Sequence, residues 1–174
     1  MQSSFIITFI GDDRPGLVEE LSSVISAQGG NWLESRLSQL AGKFAGLIQV
    51  SLPTENADAL EQALKDLHEK GLSVRVTPAL EAAMATAGKR QIRLAILGPD
   101  RPGIVHEIAT ALAAQSVNVV DLHSDVSPAA MSAELIFTAT VEAIVPDEID
   151  LPELEESLDR IEHQMDVDIR LEAD

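Results

Sequence analysis

The octet Gly11-Asp12-Asp13-Arg14-Pro15-Gly16-Leu17-Val18 returns as Gly98-Pro99-Asp100-Arg101-Pro102-Gly103-Ile104-Val105, an offset of 87 in a chain of 174 residues. The copy extends beyond the octet. Asn31 recurs as Asn118, and the apolar positions Leu17, Leu21 and Ile25 recur as Ile104, Ile108 and Leu112 at the same offset. A repeat that halves the chain restricts it to two copies of one small module, each still large enough to bury a core without disulfides or metals.

Each octet reads as a strand turning into a helix. Phe5 to Ile10 and Ile92 to Leu97 are short apolar runs rich in β-formers and bounded by Gly and Asp. Proline suits the first helical turn, where its missing N–H has no intrahelical partner. Gly16 and Gly103 leave that turn without a side chain, so a ligand or another backbone could approach the free amides closely, and such amides suit a carboxylate.

Downstream, Leu17, Leu21, Val24 and Ile25 recur at helical spacing over residues 15 to 28, and Gly29-Gly30 stops the helix. A strand opens at Asn31. Strict alternation puts Leu33, Ser35 and Leu37 on one face and Trp32, Glu34, Arg36 and Ser38 on the other. Ala41-Gly42-Lys43 is a hairpin turn, residues 44 to 52 a strand, 55 to 70 a helix with Leu60, Leu64 and Leu67 inward, and 72 to 77 a strand. After a linker at 79–89 the second half repeats this order: strand 91–97, helix 102–115, strands 118–126 and 131–142, helix 151–163, strand 166–171. Its Leu154, Leu158 and Ile161 match Leu60, Leu64 and Leu67 at an offset of 94, so the second copy is longer by about seven residues, placed in the hairpin and near Pro146.

The order β-α-β-β-α-β is the ferredoxin-like, split βαβ pattern, an α+β fold. Modules 1–78 and 90–174 are each expected to form a four-stranded antiparallel sheet with two helices on one face. The other face is then open. With Trp32 on it, packing between modules or chains is expected to leave that ring at least half buried.

Charge and composition narrow the function. The net charge is −17, divided as −5 over residues 1 to 87 and −12 over residues 88 to 174. Such a surface repels phosphate, so direct nucleic-acid binding is not expected. Without cysteine there is no disulfide framework or thiolate metal site, which fits a reducing compartment. The run Phe5 to Ile10 is too short for a signal peptide or a membrane span, and the expected location is cytoplasmic. The acidic stretch Asp147 to Asp174, with twelve Asp and Glu against Arg160 and Arg170, is either a solvated surface or a dock for a basic partner.

Enzyme signatures are weak. Asp121, His123 and Asp125 alternate along one strand and would face the same way, a geometry open to a metal, yet Glu34, Arg36 and Ser38 at the matching places point to a simply polar face. His106-Glu107 lacks the two-histidine helical spacing of zinc proteases. No nucleophile elbow or phosphate-binding glycine loop occurs. No catalytic residue, metal or cofactor is expected.

Strand, Asp-Arg-Pro-Gly, amphipathic helix and Gly-x-Asn opening the next strand resemble the ACT domain, a small regulatory module that binds amino acids. Two such modules, covering essentially all 174 residues, further resemble the glycine cleavage system transcriptional repressor family. That resemblance implies a non-enzymatic regulator that senses a small amino acid, glycine first. It implies action through a DNA-binding transcriptional activator, with a homodimer as one arrangement. In ACT domains the ligand sits at an interface between modules, held by the strand-to-helix loop and by the Asn opening the second strand. The positions implied here are Asp13, Gly16 and Asn31, and Asp100, Gly103 and Asn118. Serine-binding relatives often carry Asn where Asp13 and Asp100 stand, and Asp12 is replaced by Pro99 in the second copy, so the two sites need not be equivalent. The chemistry suits a zwitterion: Asp and Asn oxygens accept from its ammonium, and amides at a helix start donate to its carboxylate.

With a net charge of −17 and no basic stripe, the purified chain is expected not to bind duplex DNA in a mobility-shift titration. Tight binding that weakens steeply with salt would overturn the electrostatic argument.

Overall fold

The structure, a computed structural model, describes residues 1–79, 90–130, 133–146, 149 and 151–173. Contacts divide the chain into two units, Met1–Ala83 and Met84–Asp174. Most of the expected linker, residues 80–89, lies outside the described residues; Ala79 still belongs to the first sheet's edge, its N–H donating to the Ser4 carbonyl at 2.9 Å.

The first unit runs β1 (Gln2–Asp12), α1 (Leu17–Ala27), β2 (Asn31–Leu40), β3 (Lys43–Pro53), α2 (Ala57–Lys65) and β4 (Ser73–Pro78), with 3-10 turns Thr54–Asn56 and Asp66–Lys70 flanking α2. The second runs β5 (Gln91–Pro99), α3 (Ile104–Ala114), β6 (Asn118–Pro128), β7 (Leu135–Ile144), α4 (Leu151–Met165) and β8 (Asp168–Ala173). The sheets have the orders β2-β3-β1-β4 and β6-β7-β5-β8, antiparallel at every pairing. This is the ferredoxin-like α+β fold, twice.

One face of each sheet makes the core. In the first unit Ile7, Phe9, Ile48, Val50 and Leu52 of the sheet meet Leu17, Leu21 and Ile25 of α1, with Leu60 and Leu64 of α2 and Leu67 beyond it. Ile92, Leu94 and Ile96 meet Ile104, Ile108, Leu112, Leu154, Leu158 and Ile161 in the second. Heptad-like spacing on the helices and alternation on the strands bring these residues to one layer. Leu94 pairs with Val141 as Ile7 pairs with Ile48, so most of the added length of the second unit lies in the β6–β7 hairpin, and β7 starts at Leu135, not at residue 131. Among the described residues no helix is long and apolar enough to cross a membrane.

The expected face of Trp32 is wrong, and a bulge is the reason. Trp32 pairs with Val50 and Glu34 with Gln49, so Leu33 is an extra residue in β2. The extra residue reverses the alternation behind it. Trp32 therefore shares the helix-facing side with Ser35 and Leu37, and packs partly buried against the core of its own unit. β6 has the same irregularity at Val120, between Val119 and Asp121. Downstream of each bulge the polar sets Glu34, Arg36, Ser38 and Asp121, His123, Asp125 face away from the helices.

Val119 stands where Trp32 does, and the smaller side chain leaves an apolar crevice of ≈ 20 Å³ between α3 and the sheet, lined by Val105, Ile108, Val119, Leu122 and Phe137 among others. A second exchange is complementary. Leu37 lies opposite Gly46, where an added Cβ would meet the Leu37 side chain at 2.5 Å, whereas Ser124 faces Ala139 at the matching pair.

Trp32→Val is expected to open the same crevice in the first unit and cost about 1–3 kcal/mol in a denaturant melt. The Trp32 emission is expected to lie to the blue of free tryptophan and to move red on unfolding. A mutant as stable as the parent would show that the ring contributes nothing to the core.

Candidate functional site

The two strand-to-helix loops adopt one conformation. Each proline stands before its helix, not within the first turn as expected. Pro15-Gly16 and Pro102-Gly103 make the centre of a tight turn, with Gly16 at φ 90° and Gly103 at φ 102°. Proline followed by a residue in the left-handed region is the type II arrangement, which favours glycine because a Cβ would be strained there. Gly16 is thus required by its backbone angle; a Cβ there would meet no atom within 4 Å. The turn delivers the chain into the helix, whose first bonds are Glu20 N–H to Gly16 carbonyl at 2.9 Å and Glu107 N–H to Gly103 carbonyl at 3.0 Å. Amides of the three residues between have no intrahelical acceptor.

Loops are anchored at their front ends too. The Asp13 N–H donates to the Gly42 carbonyl in the β2–β3 turn at 2.9 Å, and the Asp100 N–H to the Leu135 carbonyl at 2.8 Å. The Asp13 carboxylate pairs with none of the described residues. Asp13 lines an open cavity of ≈ 270 Å³ together with Arg14, Gly16, Leu17, Val18, Glu19 and Phe44. That size suits a small ligand.

Around this cavity the charges are ordered. Arg14 Nη2 donates to Glu20 Oε2 at 2.6 Å, and Lys70 Nζ reaches Glu20 Oε1 at 3.4 Å. The Arg14 hydrogen bond, partly opposed by desolvation, holds the Glu20 carboxyl below its ordinary value of 4.5. Lys43, bonded to Asp12, lowers that carboxyl in the same way.

The second loop is tied differently. Arg101 Nη2 pairs with Asp166 Oδ2 at 3.0 Å, in the turn between α4 and β8. Asp166 occupies the place of Gly71: both have positive φ, and each is followed by a buried apolar residue, Val167 or Leu72. Glu107, at the place of Glu20, has no cation paired with it among the described residues. These long-range pairs, 50 residues apart for Glu20 and Lys70 and 65 for Arg101 and Asp166, leave no local signal in the sequence.

The six expected ligand residues do not form one constellation within a module. Asp13 and Gly16 adjoin, as do Asp100 and Gly103. Asn31 opens β2, exposed and paired with Ser51, itself beside Ser4 of β1. The loop leaves β1 at Asp12, eight residues further along and so about 26 Å away. Asn118 is likewise exposed, opposite Ile144 and Gln91, while its loop follows Pro99. Within its own module, an amino acid at Asp13 is out of reach of Asn31.

Asp121, His123 and Asp125 share the outer face of β6, all exposed. Among the described residues no three His, Asp or Glu side chains gather closely enough to hold a metal ion.

Two βαββαβ units, each with a proline-glycine turn before its first helix, put the chain in the class of tandem ferredoxin-like modules. It belongs to the ACT-domain family: ACT-domain models match residues 3–77 and 92–163. A UPF0237 protein of Methanosarcina mazei is 36% identical over 76 residues, which is 42% of this chain and 82% of that relative. Its counterpart in Methanosarcina acetivorans is 35% identical over 75 residues, 42% of this chain and 82% of that one. Among solved structures, a protein of unknown function from Galdieria sulphuraria superposes with a TM-score of 0.84 at 29% identity, covering 100% of this chain and 99% of that one. A candidate glycine cleavage system transcriptional repressor superposes at 0.70 with 19% identity, covering 100% and 98%, a likeness of fold.

Because Glu20 is held below its ordinary value, its ion pairs favour the folded state above the ordinary carboxylate range, and that contribution is lost as pH falls through the lowered value. Melting temperature followed from pH 7 to pH 3 should fall less steeply for Glu20→Gln than for the parent. Parallel curves would show that Glu20 carries no linkage.

Proposed function

We propose that the chain is a non-enzymatic, amino-acid-sensing regulatory protein that controls transcription in the cytoplasm through a protein partner. The expected effector is glycine or another small amino acid. The observation carrying this reading is the cavity at Asp13: an unpaired carboxylate beside helix-start amides with no intrahelical acceptor, in a chain made of two ACT domains. The carboxylate offers acceptors to an ammonium and the amides offer donors to a carboxylate, the two needs of a zwitterion. Asp100 and Gly103 are the matching candidates in the second domain, with Asn31 and Asn118 as contributors from another module. A partner of the DNA-binding activator type fits a regulator whose own charge is −17. The fold shared with a candidate glycine cleavage repressor supports glycine as the first ligand to test.

An effector alters output only through different affinities for the protein's states, so occupancy is expected to weaken or redirect attachment to the activator. In a thermal melt, an amino acid at ~100 times its dissociation constant should stabilise the fold by roughly 2.7 kcal/mol. The panel is glycine, serine, alanine and the branched-chain amino acids. Asp13→Ala should reduce the shift, as should Asn31→Ala or Asn118→Ala if a second module shares the ligand. No shift with any of them at millimolar concentration would replace the sensor with a plain protein-protein adaptor.

A further inference from the structure

We infer that Arg14 is the carboxylate receptor of the first module, exchanging Glu20 for the bound amino acid while Lys70 keeps Glu20 compensated. The inference rests on the effector reading above and assigns a residue and a direction to it.

Arg14 lines the cavity with Asp13, and its side chain is 37% exposed. Among the described residues, only Nη2 is engaged, by Glu20. A guanidinium has five donors and takes carboxylates in a two-pronged fashion, so donors remain on a residue that lines the cavity. The ammonium and carboxylate of an α-amino acid sit on one carbon, and the consecutive residues Asp13 and Arg14, which carry the complementary pair of charges, line the same space.

Glu20 makes the exchange feasible. Its side chain is only 22% exposed, and a carboxylate stripped of its single partner there would be destabilised. It has two partners. When Arg14 turns to the ligand, Lys70, already at 3.4 Å, remains on Oε1. Occupancy is thereby linked to the turn before β4, which carries Lys70.

The second module lacks this arrangement. Arg101 is drawn to Asp166, and Asp166 lines an open depression of ≈ 710 Å³ with Glu162 and Asp168. With His163 the remaining polar side chain of that lining and Asp166 already paired with Arg101, Glu162 and Asp168, in no ion pair among the described residues, still disfavour a further carboxylate there. Met165 precedes the left-handed Asp166 where Lys70 precedes Gly71, so no cation waits there for Glu107. The responding arginine is therefore the one in the first module.

The test is calorimetric titration of the full-length protein with glycine and with glycinamide, which keeps the ammonium and lacks the carboxylate. Glycine should bind the parent, and Arg14→Gln should weaken it by about tenfold or more, the scale of a charged hydrogen bond. Glu20→Gln should strengthen glycine binding about threefold by freeing Arg14, and Arg101→Gln should leave it unchanged. Glycinamide should bind the parent more weakly than glycine does, and that preference should vanish in Arg14→Gln. Arg14→Lys, which keeps the charge, should restore part of the affinity, and matching circular dichroism across the variants shows that they fold. Parent-like glycine binding by Arg14→Gln, or a loss confined to Arg101→Gln, overturns the inference and leaves the effector reading standing. Absence of binding by glycine, serine, alanine and the branched-chain amino acids overturns both.

Discussion

A backbone angle before each first helix organises both modules. Gly16 and Gly103 take positive φ, and with the preceding proline they turn the end of a central strand back over its own sheet. The helix that follows lies along the sheet with Leu17, Leu21 and Ile25, or Ile104, Ile108 and Leu112, pressed into it. The same turn leaves helix-start amides beside an aspartate. The geometry that closes the core and the geometry that makes a candidate site have a common origin.

Beyond that turn the modules diverge by a few exchanges that compensate locally. Trp32 with Leu37 over Gly46 fills the first core's flank, whereas Val119 with Ser124 and Ala139 leaves the second with a narrow crevice. The two electrostatic ties diverge in a comparable way. Lys70 before Gly71 gives Glu20 a second cation, and Asp166 at the place of Gly71 draws Arg101 to the turn between α4 and β8. Both Gly and Asp tolerate the left-handed conformation that ends the helix, so the fold accepts either residue. The electrostatic consequences differ.

The polar faces of both sheets follow from one local irregularity in each. The bulges at Leu33 and Val120 put Glu34, Arg36 and Ser38, and Asp121, His123 and Asp125, on the side away from the helices. No polar or charged side chain among the described residues is buried. The Asp-His-Asp alternation lies exposed on the outer face, at the places that Glu34, Arg36 and Ser38 hold in the first sheet.

Much of this was legible in the residues alone. An octet repeated at an offset of 87, strand alternation and helical spacing determined two βαββαβ modules, their core residues and their resemblance to ACT domains, because these are local or periodic properties. The side of the sheet taken by Trp32 was not legible, since one bulged residue inverts every later position and alternation cannot report where a ladder slips. Nor was the separation of Asp13 from Asn31, which follows from β1 and β2 running in the same direction on either side of β3. The partners of Arg14 and Arg101 also had to wait for the tertiary structure. Both arginines sit in the same octet with a glutamate six residues on, and only the packing of a distant turn decides whether that glutamate or Asp166 receives the guanidinium.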